Sequence, residues 1–181
     1  EFRRVLFRSF LWSLEKNQLL TEVEKKQLMG EYELLLGIAA FNDMYEMGEH
    51  FAKAASLLSA PPKSITANNS WTFGSPSVLF LYYREVGNLK ELVQYYQKTP
   101  SYIDSTGGQG SGSRNLFEAE WYYYIGEFEN AEIYAYKAIP EAKASEQNFD
   151  VVLCACFLLA RLALLKGDLT QAQSLMTQMR N

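Results

Sequence analysis

Apolar residues recur three to four apart along most of this chain, and turn residues interrupt them at regular intervals, which is the signature of packed helices. Residues 10–17 read as a short amphipathic helix. Thr21-Glu22-Val23-Glu24 forms a capping box, with Thr and Glu three apart. From it a long helix extends to about Phe41 through Leu28, Leu34, Leu35 and Ile38. Asn42-Asp43 breaks it. A partner helix follows from about Met44 to Ser59, with Met47, Phe51, Ala54 and Leu58 on one side, and Pro61-Pro62 ends it. Residues 64–75 make a polar loop that holds Trp71 and Phe73. Ser75-Pro76 restarts a helix, Ser as cap and Pro at the first position. That helix carries Leu79, Tyr82, Tyr83 and Val86, and it stops at Gly87-Asn88. Leu89 to about Lys98 returns, and Pro100 closes it. A second loop, Asp104 to Gly112, precedes a helix for which Ser113 is a good cap. Phe149 to Lys166, Gly167-Asp168 and Leu169 to Arg180 form the last pair.

The stretch from Ala119 to Ala138 organises the rest. Ala119, Tyr122 and Tyr123 share one helix face, Gly126 closes the helix, and a second apolar stripe runs from Phe128 through Ala131, Ala135 and Ala138. Small residues at Ala119, Ala131 and Ala138 let two helices approach, and aromatic rings fill the space between them. This is close to the tetratricopeptide pattern of small, aromatic, Gly-Asp-aromatic and Ala positions. The breaks at Asn42, Gly87, Gly126 and Gly167 stand 45, 39 and 41 residues apart, and Met44, Leu89, Phe128 or Leu169 follows each. Near-equal periods of about forty predict stacked helix pairs, longer-looped than the strict repeat of about thirty-four. The expected fold is all-α: a right-handed superhelix of tetratricopeptide-like hairpins, whose first helices line a concave wall.

Composition narrows the role. The 181 residues suffice for one continuous array, and the net charge of −4 comes without a basic stripe after the first nine residues, so direct nucleic-acid contact is not expected. The longest apolar run, Val151 to Ala160, is about half a membrane span and ends at Arg161. Cys154 and Cys156 lie two apart in a helix, on different faces, which predicts two buried thiols in a reduced, cytoplasmic protein. Residues 1–9 are basic and apolar, unlike all that follows, and Leu-Phe-Arg-Ser is what one frame of a common sequencing adapter encodes; they read as a non-native leader. Residues 10–181 read as a single helical-repeat domain, a fragment of a longer chain.

Candidate chemistry is sparse. The 107–112 loop (Gly-Gly-Gln-Gly-Ser-Gly) could cradle an anion against the helix that begins at Ser113, with Arg114 adding charge, but no strand precedes it and no Lys-Ser/Thr follows; a turned connector is the better reading. Trp71 and Phe73 either stack on a ligand or anchor their loop. His50, the lone histidine, has no metal-binding partner nearby in sequence. Glu118, Glu120, Glu127 and Glu129 alternate like paired carboxylates, yet acids at a helix boundary usually face water or complement a helix N-terminus. There is no nucleophile elbow and no metal-ligand set, so neither an enzyme nor a cofactor is expected. The candidate groove residues, placed by pattern, are Trp71, Phe73, Arg84, Gln109, Arg114, Glu118 and Tyr122.

Several stretches together resemble a known family. These are Asn42-Asp43-Met44, the 71–79 stretch Trp-Thr-Phe-Gly-Ser-Pro-Ser-Val-Leu, the 107–112 loop, the 126–132 stretch Gly-Glu-Phe-Glu-Asn-Ala-Glu and the 158–168 stretch Leu-Leu-Ala-Arg-Leu-Ala-Leu-Leu-Lys-Gly-Asp. They look like the helical-repeat region of MalT-like, LuxR-type bacterial transcriptional regulators, and the resemblance covers nearly everything from Phe10 to Asn181. It implies a larger machine with an N-terminal ATPase module, a winged-helix region, this array and a C-terminal helix-turn-helix. The array would sense a small-molecule inducer or a regulatory protein and take part in self-association. Within this chain there is no Gly-x-x-x-x-Gly-Lys-Ser/Thr and no basic recognition helix, and Gln109 stands where such relatives often carry His. The alternative is a stand-alone scaffold that docks a peptide or protein.

Overall fold

The structure, a computed structural model, describes residues 9–10, 12–14, 16–40, 43–64, 75–77, 79, 88–98, 108, 110–144 and 148–180. Among these, all regular structure is helical. The helices with defined bounds are α1 (Glu22–Ala39), α2 (Met44–Leu57), α3 (Leu89–Lys98), α4 (Ser113–Tyr124), α5 (Phe128–Lys143), α6 (Phe149–Leu165) and α7 (Leu169–Gln178). The pairs α1–α2, α4–α5 and α6–α7 pack as hairpins; α5 and α4 both touch α6, and α3 bridges α2 to α4.

Local chemistry sets the ends. At α1 the Glu24 amide donates to Thr21 Oγ1 at 3.3 Å while the Thr21 amide donates to Glu24 Oε2 at 2.8 Å, the reciprocal bonds of the expected capping box. At α2 the side chain of Asp43 accepts from the amides of Tyr45 and Glu46. α1 and α2 then close on each other through glycine. A β-carbon on Gly30 would lie 2.8 Å from Leu58 Cγ, and one on Gly37 would collide with the Phe51 ring.

The two later hairpins share one turn. After α4 the amides of Ile125, Gly126 and Glu127 donate to the carbonyls of Trp121, Tyr123 and Tyr122. After α6 those of Lys166, Gly167 and Asp168 donate to Leu162, Leu164 and Ala163, the same three bonds shifted by 41 residues. Both turns combine a six-to-one bond with a left-handed glycine, Gly126 at φ 83° and Gly167 at φ 75°. The small contacts repeat too: Ala119 and Ala131 in the first hairpin, and Ala160 and Ala172 in the second, are all buried.

The core forms two clusters of buried side chains, with Ile139 and Val152 packed against both. The first joins Phe51 of α2, Leu92 and Val93 of α3, Leu116 and Phe117 of α4, Ala138 of α5 and Val151 of α6. The second joins Ala119, Ala131 and Ala135 to Leu158, Leu159 and Leu162 of α6 and Leu175 of α7.

Two local expectations are corrected. Ser113 does not cap α4: Gly112 does, at φ 85° and without a side-chain bond, while the Ser113 hydroxyl is buried 2.6 Å from Tyr96 Oη. Pro76 does not open a helix, since residues 75–77 are non-helical and the Ser75 hydroxyl donates to the Ser77 carbonyl in a local turn; of the helix expected there, only Leu79 lies among the described residues. The apolar residues that follow the breaks differ in burial, Met44 being buried and Leu169 largely exposed. Elsewhere the ends shift by one or two residues, α1 closing at Ala39, α2 at Leu57, α6 at Leu165 and α7 at Gln178.

Candidate functional site

Three of the pattern-placed residues come together on α4. Arg114, Glu118 and Tyr122 stand four apart and form one stripe, each half-buried. α3 reaches this stripe through Gln97, whose side-chain amide donates to the Arg114 carbonyl at 3.1 Å. Burial pushes the Glu118 carboxyl above the usual range, and a hydrogen bond from Gln97 opposes that shift. Burial also raises the Tyr122 hydroxyl, and the neighbouring Tyr134, Glu118 and Glu127 add to the effect. The Tyr122 ring lies 4.8 Å from Trp121 and stacks on Tyr134 of α5 at 5.3 Å, with the Lys137 ammonium 4.5 Å over Tyr134. At the other end of the stripe, Arg114 Nε is buried with no hydrogen-bond partner among the described residues. The arrangement offers a guanidinium, a carboxyl and an aromatic platform within two helical turns. Trp71, Phe73, Arg84 and Gln109 lie outside the described residues.

The glycine loop is a structural connector. Gly108, Gly110 and Gly112 all have positive φ. The Ser111 and Ser113 amides donate to Gly108 and Gly110, and the Gly110 amide donates to Asn148 Oδ1 at 2.6 Å. Asn148 Nδ2 returns a bond to the Gly108 carbonyl at 2.9 Å. These amides therefore serve the turn itself. Gly112 sits against α5 so closely that a β-carbon there would strike the Ala138 carbonyl.

Two polar residues important to this region were not among the candidate groove residues. Asn148 is buried at the start of α6 and clasps a loop 40 residues earlier. Glu120, almost fully buried, accepts from the Ser77 hydroxyl at 2.6 Å and from the Leu79 amide at 2.9 Å. It thus fastens the middle of α4 to the backbone and side chain of the 77–79 stretch. Neither contact has a signal in sequence, because both partners are remote and neither position breaks the local period.

His50 Nδ1 lies 2.6 Å from Glu33 Oε2 and ties α2 to α1. Cys154 and Cys156 are free and buried; the Cys154 thiol donates to the Ser75 carbonyl, and burial raises the Cys156 thiol. Among the described residues no three His, Cys, Asp or Glu side chains gather as metal ligands, and no helix is long and apolar enough to cross a membrane.

Comparison with protein-family models, with curated proteins and with solved structures returned no match.

Proposed function

We propose that this chain is an effector-sensing and protein-interaction segment: a tetratricopeptide-like superhelix that belongs to a cytoplasmic, MalT-like LuxR-type ATP-dependent regulator, whose ATPase and DNA-binding modules lie outside it. The observation that carries the reading is the 41-residue register linking α4–α5 to α6–α7, turn bond for turn bond, because stacked identical hairpins create an extended wall suited to binding rather than to catalysis. The stripe Arg114, Glu118 and Tyr122 is the ligand-facing part of that wall. Binding there repacks neighbouring hairpins and shifts the balance between a resting and a self-associating regulator. The inducer is a small molecule with a flat face and an acidic or hydroxyl group, or a peptide of like chemistry.

The test is thermal melting of the whole chain against a panel of sugars, nucleotides and short acidic peptides. A ligand of the native fold raises the melting temperature by mass action, by about 2.7 kcal/mol of stability at a hundredfold excess over Kd. A shift that Tyr122→Ala and Arg114→Gln abolish, with the helical signal intact, supports the sensor. A cooperative melt that nothing in the panel moves sinks the small-molecule reading. The second reading, a scaffold that docks a helical partner, is favoured by the exposed apolar residues of α6.

A further inference from the structure

Glu120 and Cys154 hold the same piece of chain from two different helices. Glu120 of α4 accepts from the Ser77 hydroxyl and the Leu79 amide, and the Cys154 thiol of α6 donates to the Ser75 carbonyl at 3.3 Å. One side of α4 and one side of α6 therefore form a single surface, and the segment that carries Ser75, Ser77 and Leu79 lies across it, held through its backbone by polar side chains.

The surface goes on past that segment. Tyr123 follows Glu120 by three residues, and Phe157 and Arg161 follow Cys154 by three and seven, so all three stay on the same sides, roughly 5–10 Å further along the helices. The Arg161 guanidinium lies 4.2 Å over the Tyr123 ring and 5.8 Å over the Phe157 ring. Tyr123 is itself packed against Tyr124 and Phe128, which fixes the ring beneath the cation. Arg161 is half-buried and makes no hydrogen bond or ion pair among the described residues. The other charged residue of α6, Asp150, is about three turns away. A guanidinium laid over a ring keeps its N–H groups in its own plane, where a carboxylate can take two of them at once. On the same side of α6, Leu164 is 54% exposed one turn beyond Arg161, and Leu153 is 43% exposed two turns before it.

We propose that Arg161, seated over Tyr123 and Phe157, anchors a docking surface for a non-helical acidic segment of a partner protein. The guanidinium takes one carboxylate side chain, and apolar residues on either side of that acid set against Leu153 and Leu164. Two observations choose this occupant. A non-helical stretch of polypeptide already lies on the neighbouring part of the surface, bound through its backbone by Glu120 and Cys154. The charge beyond it is a lone cation amid apolar side chains, which matches a single acid flanked by apolar residues and disfavours a basic segment. Arg114, Glu118 and Tyr122 stand on the opposite side of α4, so this inference goes beyond the reading given above and does not depend on it.

The probes are short fluorescein-labelled peptides with one central Glu, Leu stepped through the flanking positions, and Ser and Gly elsewhere. Each is paired with the same sequence carrying Gln in place of Glu, and all are titrated with the full chain and read by anisotropy. At least one Glu peptide is expected to bind saturably and tenfold or more tightly than its Gln partner. Arg161→Gln is expected to remove that preference. Leu164→Glu, which sets a charge of the peptide's own sign one turn from the guanidinium, is expected to weaken the Glu peptide tenfold or more. Leu164 is about half-exposed, so this variant keeps the helical signal and melting of the parent even if Arg161→Gln does not. The proposal is overturned if no peptide binds saturably, if Glu and Gln peptides bind alike, or if the preference survives both substitutions. Saturable binding of inorganic phosphate or ATP that Arg161→Gln abolishes, with no Glu peptide bound, overturns it in favour of a phosphate ligand.

Discussion

The hairpins α4–α5 and α6–α7 have the same turn, the same left-handed glycine and the same buried alanines, yet they stand in different surroundings. The first is enclosed: α3, α6 and the glycine loop all press on it, and its side chains divide into a buried stripe and a polar one. The second is covered on one side and bare on the other. The turn is thus a local property that the chain encodes twice, while burial is a property of neighbours. The small residues are buried in both hairpins, while large ones such as Leu164 and Met176 stay about half-exposed in the second. The pair α1–α2 adds a third case, in which helices approach through Gly30 and Gly37 instead of alanine, so close packing there has no tolerance for an added methyl.

Substitutions at matched positions can break or sharpen this comparison. The largest contrast is at Gly112, whose counterpart 41 residues on is Leu153. Gly112→Ala combines a left-handed backbone with collision at the Ala138 carbonyl. Together these should cost about 2–4 kcal/mol, or a melting temperature lower by roughly 5–15 °C in a chain of this size. Leu153→Ala, on the bare side, should cost less than about 1 kcal/mol. Next come the alanines. Ala119→Leu, in the enclosed hairpin, should lose about 1–3 kcal/mol through overpacking. Ala160→Leu, buried at the matching place in the second hairpin, should lose a similar amount by chemical denaturation; a far smaller loss would mean that the two contacts are not equivalent. The turn glycines should behave alike, since a β-carbon meets nothing within 4 Å at Gly126 or Gly167. Each Gly→Ala change there should cost about 1–2 kcal/mol of backbone strain alone, and unequal values would break the equivalence of the turns.

The smallest effect is electrostatic. Glu118 has its pKa raised by burial, so its protonated form is favoured in the folded state. Its contribution is fully present below the unfolded value and is lost as pH rises through the raised folded value. Glu118→Gln should therefore flatten the pH dependence of melting in the weakly acidic range and leave stability at neutral pH equal or slightly higher. A melting profile that keeps its slope would show that Glu118 is not the group responsible.

Much of the fold was legible because it is written locally. The Thr21–Glu24 box, the bounds of α3 and the spacing of the breaks at Gly126 and Gly167 all rest on residues within one turn of each other. The close approach at Gly30 and Gly37 was not legible, because a glycine inside a helical pattern looks only like a weak position until the facing ring of Phe51 is known. Ser113 misled for a related reason. Its residue type suits a cap, but Tyr96 competes for the hydroxyl and a left-handed Gly112 already closes the end. On the site, the four-residue spacing of Arg114, Glu118 and Tyr122 puts them on one side of α4. It could not reveal the Gln97 contact, or Glu120 and Asn148, whose partners lie 17 to 43 residues away.

Asn148 has a further effect, on how the molecule opens. Its side chain bonds the Gly108–Gly110 turn ahead of α4 from the head of α6, so that α4 and α5 are enclosed between the two ends of one clasp. Fraying at the start of α4 then requires release of α6, and loosening of α6 frees the glycine turn. The three helices are bound into one cooperative unit, and the Gly110 amide should exchange with deuterium only as slowly as that whole unit unfolds. α7, held on one side only, is the segment free to open ahead of it.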